Sequence, residues 1–244
     1  MITTTNKYRV KKFLNDVARK IFFDKIAKYY SLDISLQIQM KALEASAEYV
    51  EEHMNGAYTF TNNLSLLKWA ISKAQTDGLF MEFGVWQGAT VNFIAEQVPA
   101  NTVHGFDSFQ GLPEFWTEIT HVGRYDKGSF DMLGQLPDVR QNVVLHPGWF
   151  EKSLPNFVEY YQGDVSFLHV DCDLYSSAKT IFDYLGDRIK PGTVIVFDEY
   201  FNYPGWQNHE YKAFQEFVTQ RNINYEYLAY NRVGREVVAI IKES

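Results

Sequence analysis

Five short apolar runs, separated by helical patterns, constrain this chain more than any other feature. Leu79–Phe83, Thr102–Phe106, Asn142–Leu145, Val165–Val170 and Thr193–Phe197 read as buried strands. Helical patterns near 88–98, 152–161 and 176–189 separate several of them. That alternation predicts an α/β fold, a doubly wound and mainly parallel sheet. A helix near 208–222 follows, and Tyr225–Ala229 and Glu236–Ile241 then flank a glycine-bearing turn. The pair reads as a hairpin, so the last strand is expected to be antiparallel.

The first third has a different texture. Residues 8–30 read as a basic amphipathic helix with Phe13, Val17, Ile21 and Phe22 at helical spacing. A second helical stretch runs from Asp33 to Met54, with Ile34, Ile38, Leu43 and Ala47 inward. Asn62 is placed to cap a third, carrying Leu66, Trp69, Ala70 and Ala74 on one face. Residues 107–141 show no clear strand, and a structureless insertion that long is usually a functional lid or a misread element.

Composition removes several classes. The 244 residues are 46% hydrophobic with only 7 prolines, which excludes a disordered or collagenous chain. A single cysteine excludes a disulfide framework and a thiolate zinc site, and suits a reducing compartment. The net charge of −7 argues against a nucleic-acid partner. That charge is uneven: residues 1–30 carry +6 and the remainder −13. No apolar run approaches the roughly 20 residues of a membrane span, and no signal-peptide pattern opens the chain. A cytoplasmic protein is expected.

The strand ends carry the chemistry. Glu82-Phe83-Gly84-Val85-Trp86-Gln87-Gly88-Ala89-Thr90 leaves one strand and opens a helix. Its G-x-x-x-G spacing is not the G-x-G-x-x-G of nicotinamide folds, and Glu82 suits an ammonium group better than a pyrophosphate. Asp107, followed by Ser108, ends the next strand, where an acid can bond both ribose hydroxyls of an adenosine-bearing ligand. Asp171 and Asp173 stand at i and i+2 as a buried strand runs out, and Asp198 and Glu199 end another. Four acids meeting at strand ends repel one another unless a cation intervenes, and oxygen ligands suit Mg²⁺, Ca²⁺ or Mn²⁺. The competing reading of Asp173 and Asp198 is that each caps the helix after it. His104 and His169 read as core imidazoles; His53, His121, His146 and His209 show no partner spacing. The aromatic stretch Tyr200–Trp206 reads first as a packed loop.

In this order E-F-G-V-W-Q-G-A-T, H-G-F-D-S-F-Q-G-L-P-E, H-V-D-C-D-L-Y-S-S and P-G-T-V-I-V-F-D-E-Y resemble the macrocin, mycinamicin and novobiocin sugar O-methyltransferases. The resemblance covers about residues 56–222. It implies a seven-stranded, Rossmann-like class I methyltransferase domain over 61–244, behind an N-terminal helical extension over 1–60. It also implies S-adenosylmethionine (SAM) as methyl donor, Mg²⁺ or another hard divalent cation, and a sugar-bearing acceptor. Glu82, Gly84, Gly88 and Thr90 would surround the methionine part of SAM, with Thr59 at its end; Asp107 would hold the ribose and Ser108 lie beside the adenosine. Asp171 and Asp198 would bind the metal, with Glu199 where the family usually has a second Asp, and Asp173 matches the general base. A phenol or catechol acceptor, and a non-catalytic SAM-binding protein, are the alternatives. Exposed aromatics in the first 60 residues point to a homo-oligomer.

Overall fold

The computed structural model describes residues 4–23, 30, 32–116 and 125–243, with side chains from residue 11 onward. Lys25, Lys28 and His121 lie outside the described residues. Eight strands form one sheet: β1 (Tyr58–Phe60), β2 (Leu79–Phe83), β3 (Val103–Asp107), β4 (Val143–Pro147), β5 (Val165–Val170), β6 (Ile189–Phe197), β7 (Tyr225–Asn231) and β8 (Val237–Ile241). Their order is β1-β7-β8-β6-β5-β2-β3-β4. The expected seven strands are therefore one too few. The extra strand is β1, three residues with two exposed side chains, paired in parallel with β7. Strands β4, β3, β2, β5 and β6 are mutually parallel, and β8 is antiparallel to β6 and β7.

Helices cover both faces. They are α1 (Thr4–Ile21), α2 (Ile34–His53), α3 (Asn63–Ile71), α4 (Ala89–Gln97), α5 (Phe150–Tyr160), α6 (Tyr175–Leu185) and α7 (Glu210–Arg221). The starts of α2 and α3 follow local chemistry. Asp33 accepts from the Leu36 N–H at 3.0 Å and Asn62 from the Ser65 N–H at 2.9 Å. Every residue of β5 is buried, as a central parallel strand sandwiched between helices requires. One core packs Leu168, Val170, Phe182, Phe197 and Phe214 together on one face. The other packs Leu66, Phe80, Ile94, Phe167 and Val196. Among the described residues, no helix is long and apolar enough to cross a membrane.

The Tyr200–Trp206 aromatics belong to this interior: Tyr200, Phe201, Tyr203 and Trp206 are all buried. His146, expected to lack a partner, lies on β4 with its Nε2 3.0 Å from His104 Nδ1. Helix α2 buries Ala42 and Ser46, and of the face expected inward Ile34, Leu43 and Ala47 are exposed and Ile38 is half-buried. Helix α1 stands further apart. Phe13, Leu14, Val17, Ile21 and Phe22 remain 38–67% exposed, so its apolar stripe does not pack on its own domain.

Candidate active site at the strand switch point

Strand order reverses at β2. The chain moves from β2 to β3 and β4 on one side, then returns to β5 and β6 on the other. A crevice outside the carboxyl ends of β2 and β5 is the expected ligand position in such a sheet. Backbone pairing runs one residue past each strand: Gly84 N–H donates to Phe106 O, Asp171 N–H to Phe83 O and Asp198 N–H to Val170 O, each at 2.9 Å. Gly84, Asp171 and Asp198 thus stand side by side on the rim. Gly84 has φ +100°, and a Cβ there would lie 1.7 Å from the Asp171 carbonyl oxygen. No other residue fits.

A cavity of about 510 Å³ opens at this point. Gly84, Asp107, Ser108, Asp171, Asp173, Glu199 and Arg235 line it together with a wall of aromatics. Part of that wall comes from the insertion after β3, which holds no strand among the described residues up to β4. Trp116 N–H donates to Tyr125 O at 3.0 Å, the two rings stack at 5.2 Å, and Tyr125 stacks on Phe130 at 5.2 Å. Trp86, from the glycine turn, meets Phe130 edge-on at 5.7 Å. Ser176 Oγ donates to Glu114 Oε1 at 2.5 Å and fastens the insertion to α6. Residues 117–124 of the insertion are outside the described set.

The sequence-derived candidates divide. Asp107 lines the cavity while its Oδ2 accepts from the Val85 and Trp86 N–H groups at 2.9 and 2.8 Å, and its Oδ1 from the Phe109 N–H at 2.7 Å. It braces the glycine turn and keeps spare lone pairs for a ligand. Ser108 closes the next turn, accepting from the Gln110 N–H and donating to Gly111 O, both at 3.0 Å. Gly88 is the left-handed N-cap of α4 and packs under Pro137, and Thr90 is half-buried in the first turn. Neither touches the cavity. Thr59 is exposed on β1, at the sheet edge remote from β2, and stays apart from the other candidates.

Asp173 and Asp198 are not helix caps. The N-cap residues of α6 and α7 are Leu174 and His209, neither with a side-chain cap bond. Burial pushes the Asp171 carboxyl well up, and Asp198, Asp173, Glu82 and Glu210 push it further. Asp198 is also raised by burial, with His169 opposing. Glu82 is fully buried; its Oε1 lies 2.8 Å from His169 Nδ1, and its Oε2 is buried without a hydrogen-bond partner among the described residues. His169 Nε2 is 4.0 Å from Asp198 Oδ1. Ligand atoms of Glu82, His169 and Asp171 lie within 4.8 Å of one another. An orphaned carboxylate oxygen amid desolvated acids is a donor set that fits a cation.

Glu199, expected beside the metal, lines the cavity and is paired with a cation of the chain itself. Its Oε2 lies 2.7 Å from Arg235 Nη1, so a guanidinium holds the carboxylate that a metal would use. Arg235 also lies over the Tyr203 ring at 5.1 Å. Sequence reasoning missed Arg235 and Glu210, because both act across the fold. His169, read as a core imidazole, is buried and also bridges Glu82 toward Asp198.

Known proteins share this fold. One relative, the 8-demethyl-8-(2,3-dimethoxy-α-L-rhamnosyl)-tetracenomycin-C 4′-O-methyltransferase of Streptomyces olivaceus, is 27% identical over 161 residues. The match spans 56% of this chain and 59% of that relative's length. The O-methyltransferase NovP superposes with TM-score 0.53 at 20% identity, over 74% of this chain and 79% of its own. The calicheamicin methyltransferase CalS11 gives TM-score 0.53 at 22% identity, over 84% and 91%. At those identities the two structures speak for the fold. The family model for macrocin-O-methyltransferase (TylF) matches residues 15–234, nearly the whole chain, and the protein belongs to that family.

Proposed function

We propose that this protein transfers the methyl group of SAM to a hydroxyl of a sugar or glycosylated metabolite, assisted by a divalent cation such as Mg²⁺. The observation that carries the reading is that Asp171 and Asp173 line the cavity that Gly84 opens, with Asp198 beside Asp171 at the next strand end. SAM supplies an electrophilic methyl, and a divalent cation lowers the pKa of a hydroxyl that is otherwise too weakly acidic to attack. The chain supplies the rest. Asp107 and Ser108 hold the nucleoside part, and Gly84 admits the donor between β2 and β5. Glu82, Gly88, Thr90 and Thr59 lie outside the residues that line the cavity, and their contact with the methionine part of SAM is part of the proposal.

Asp171 and Asp198 would hold the cation, with Glu199 withheld by Arg235. Asp173, on the cavity wall, accepts the acceptor's proton, and the aromatic wall packs the apolar face of the sugar and excludes water. Support for a sugar acceptor comes from the rhamnosyl 4′-O-methyltransferase relative. The phenol reading would need a lysine just past the acidic strand end. Lys179 is instead bonded to Asp183 at 2.7 Å and does not line the cavity.

The buried free thiol of Cys172 accords with a cytoplasmic location, which we propose together with a homo-oligomer that covers the exposed stripe of α1. The test is SAM turnover against a panel of rhamnosyl glycosides, sugar nucleotides and phenols, with chelator and with added Mg²⁺ or Mn²⁺. Turnover of glycosides that chelator removes supports the reading. Turnover of phenols alone, or turnover indifferent to chelator, contradicts it.

A further inference from the structure

The two strand ends that carry the acids are tied together by a side chain belonging to neither. Glu210, the first residue of α7, is fully buried. Its Oε1 accepts from the backbone N–H groups of both Cys172 and Asp173, at 3.2 Å each. Its Oε2 accepts from the N–H of Glu199, also at 3.2 Å. Convergent N–H groups of this kind form anion-binding concavities, and here the protein's own carboxylate fills one. The side chain does not cap its own helix; it reaches across to the loops after β5 and β6.

Asp173 explains why such a brace is needed. Its φ is +62°, in the left-handed region that non-glycine residues seldom adopt. A residue stays there when its surroundings over-determine it. The Asp173 N–H is held by Glu210, and rotation of that peptide would swing the Asp173 carboxylate along the cavity wall. The same carboxylate, through its second oxygen, fixes the main chain at Glu199. One rigid group therefore spaces the loop of Asp171 and Asp173 from the loop of Asp198 and Glu199.

We propose that Glu210 is a positioning residue for methyl transfer, setting where the Asp173 carboxylate meets the acceptor hydroxyl. This rests on Asp173 being the base. Glu210 touches neither donor nor acceptor and acts through Asp173. Misplacing a reacting group by about 1 Å costs on the order of 100-fold in rate.

The test is a double-mutant cycle of Glu210→Gln with Asp173→Asn, using the glycoside that the wild-type protein turns over fastest as probe. Glutamine has one acceptor oxygen and one NH₂, so either the Cys172–Asp173 pair or Glu199 meets a donor instead of an acceptor. Glu210→Gln is expected to lower kcat roughly 10–100-fold while KM for SAM and the affinity for S-adenosylhomocysteine (SAH) stay within about 3-fold. In the Asp173→Asn background the same change is expected to cost nothing further. Glu210→Asp keeps the charge and shortens the reach; it serves as the cycle partner if the glutamine variant does not fold. Losses that multiply in the double mutant, or wild-type kcat in a folded single mutant, overturn the proposal. Near-normal turnover by Asp173→Asn removes the base itself, and absence of turnover with every glycoside removes the parent reading; the inference falls with either.

Discussion

Asp171 is half-buried at the cavity, where desolvation and four other carboxyl groups all push its pKa upward. The sign of the consequence follows from proton linkage. The folded chain holds a proton on Asp171 to a higher pH than the unfolded chain does, so that stability is present at low pH. It is lost as pH rises from the ordinary value near 3.8 through the raised one. At neutral pH the residue weakens the fold in order to serve the site. Asp171→Asn is therefore expected to raise the thermal midpoint by about 2–4 °C at pH 7, the shift for a gain of about 1 kcal/mol in a protein of this size. Activity should disappear. Calorimetry beside a turnover assay checks both halves, and a lower midpoint would contradict the first. Added Mg²⁺ or Mn²⁺ should stabilise the wild-type protein but not this variant. Glu199, already paired with Arg235, is expected to matter less: Glu199→Gln should weaken Mn²⁺ binding less than Asp198→Asn, as titration followed by electron paramagnetic resonance would measure. Asp173→Asn should retain SAM and lose about 10²–10⁴-fold in turnover, the usual loss for a missing general base.

At the scale of elements, the glycine turn and the β3–β4 pair carry separate tests. Gly84→Ala places a methyl group against the Asp171 carbonyl and forces a left-handed alanine. The expected cost is about 3 kcal/mol or more, read from urea unfolding. His104 and His146 are each pushed down to about 4, chiefly by burial. Between pH 6.5 and about 4 the unfolded chain binds protons that the folded chain refuses, so stability falls as pH falls through that window. Replacing both imidazoles with phenylalanine should flatten that slope.

Which elements were legible follows from the range of the forces that make them. The parallel strands announce themselves because burial on both faces makes them mostly apolar runs, as in β5 where only Ser166 and His169 are polar, and Asn62 announces α3 through a cap bond three residues away. Strand β1 does not. Its three residues have no apolar periodicity, and only the distant β7 makes them a strand. The acids of the site were legible as strand ends. Their partners were not: Glu210 lies 38 positions from Cys172 and Arg235 lies 36 from Glu199, with no spacing to mark them.

Over the whole molecule, charge and apolar exposure point to α1. A basic segment of net +6 carrying an uncovered apolar stripe meets a body of net −13. Docking on the acidic body of a second copy satisfies both features. Deletion of residues 1–30 is expected to lower the oligomeric state seen by light scattering and sedimentation. Co-sedimentation with anionic vesicles that vanishes on deletion, with the oligomeric state unchanged, would assign the helix to a membrane surface instead. The body presents the cavity at the sheet's switch point, where methylation of a sugar oxygen is proposed. Incubation with SAM carrying a ¹³C-methyl group, in the presence of a glycoside bearing both free sugar and free phenol hydroxyls, tests it directly by carbon–proton correlation NMR. The label is expected on a sugar oxygen, with one SAH released per methyl transferred. Label on the phenol oxygen, or no labelled product from any glycoside, contradicts it.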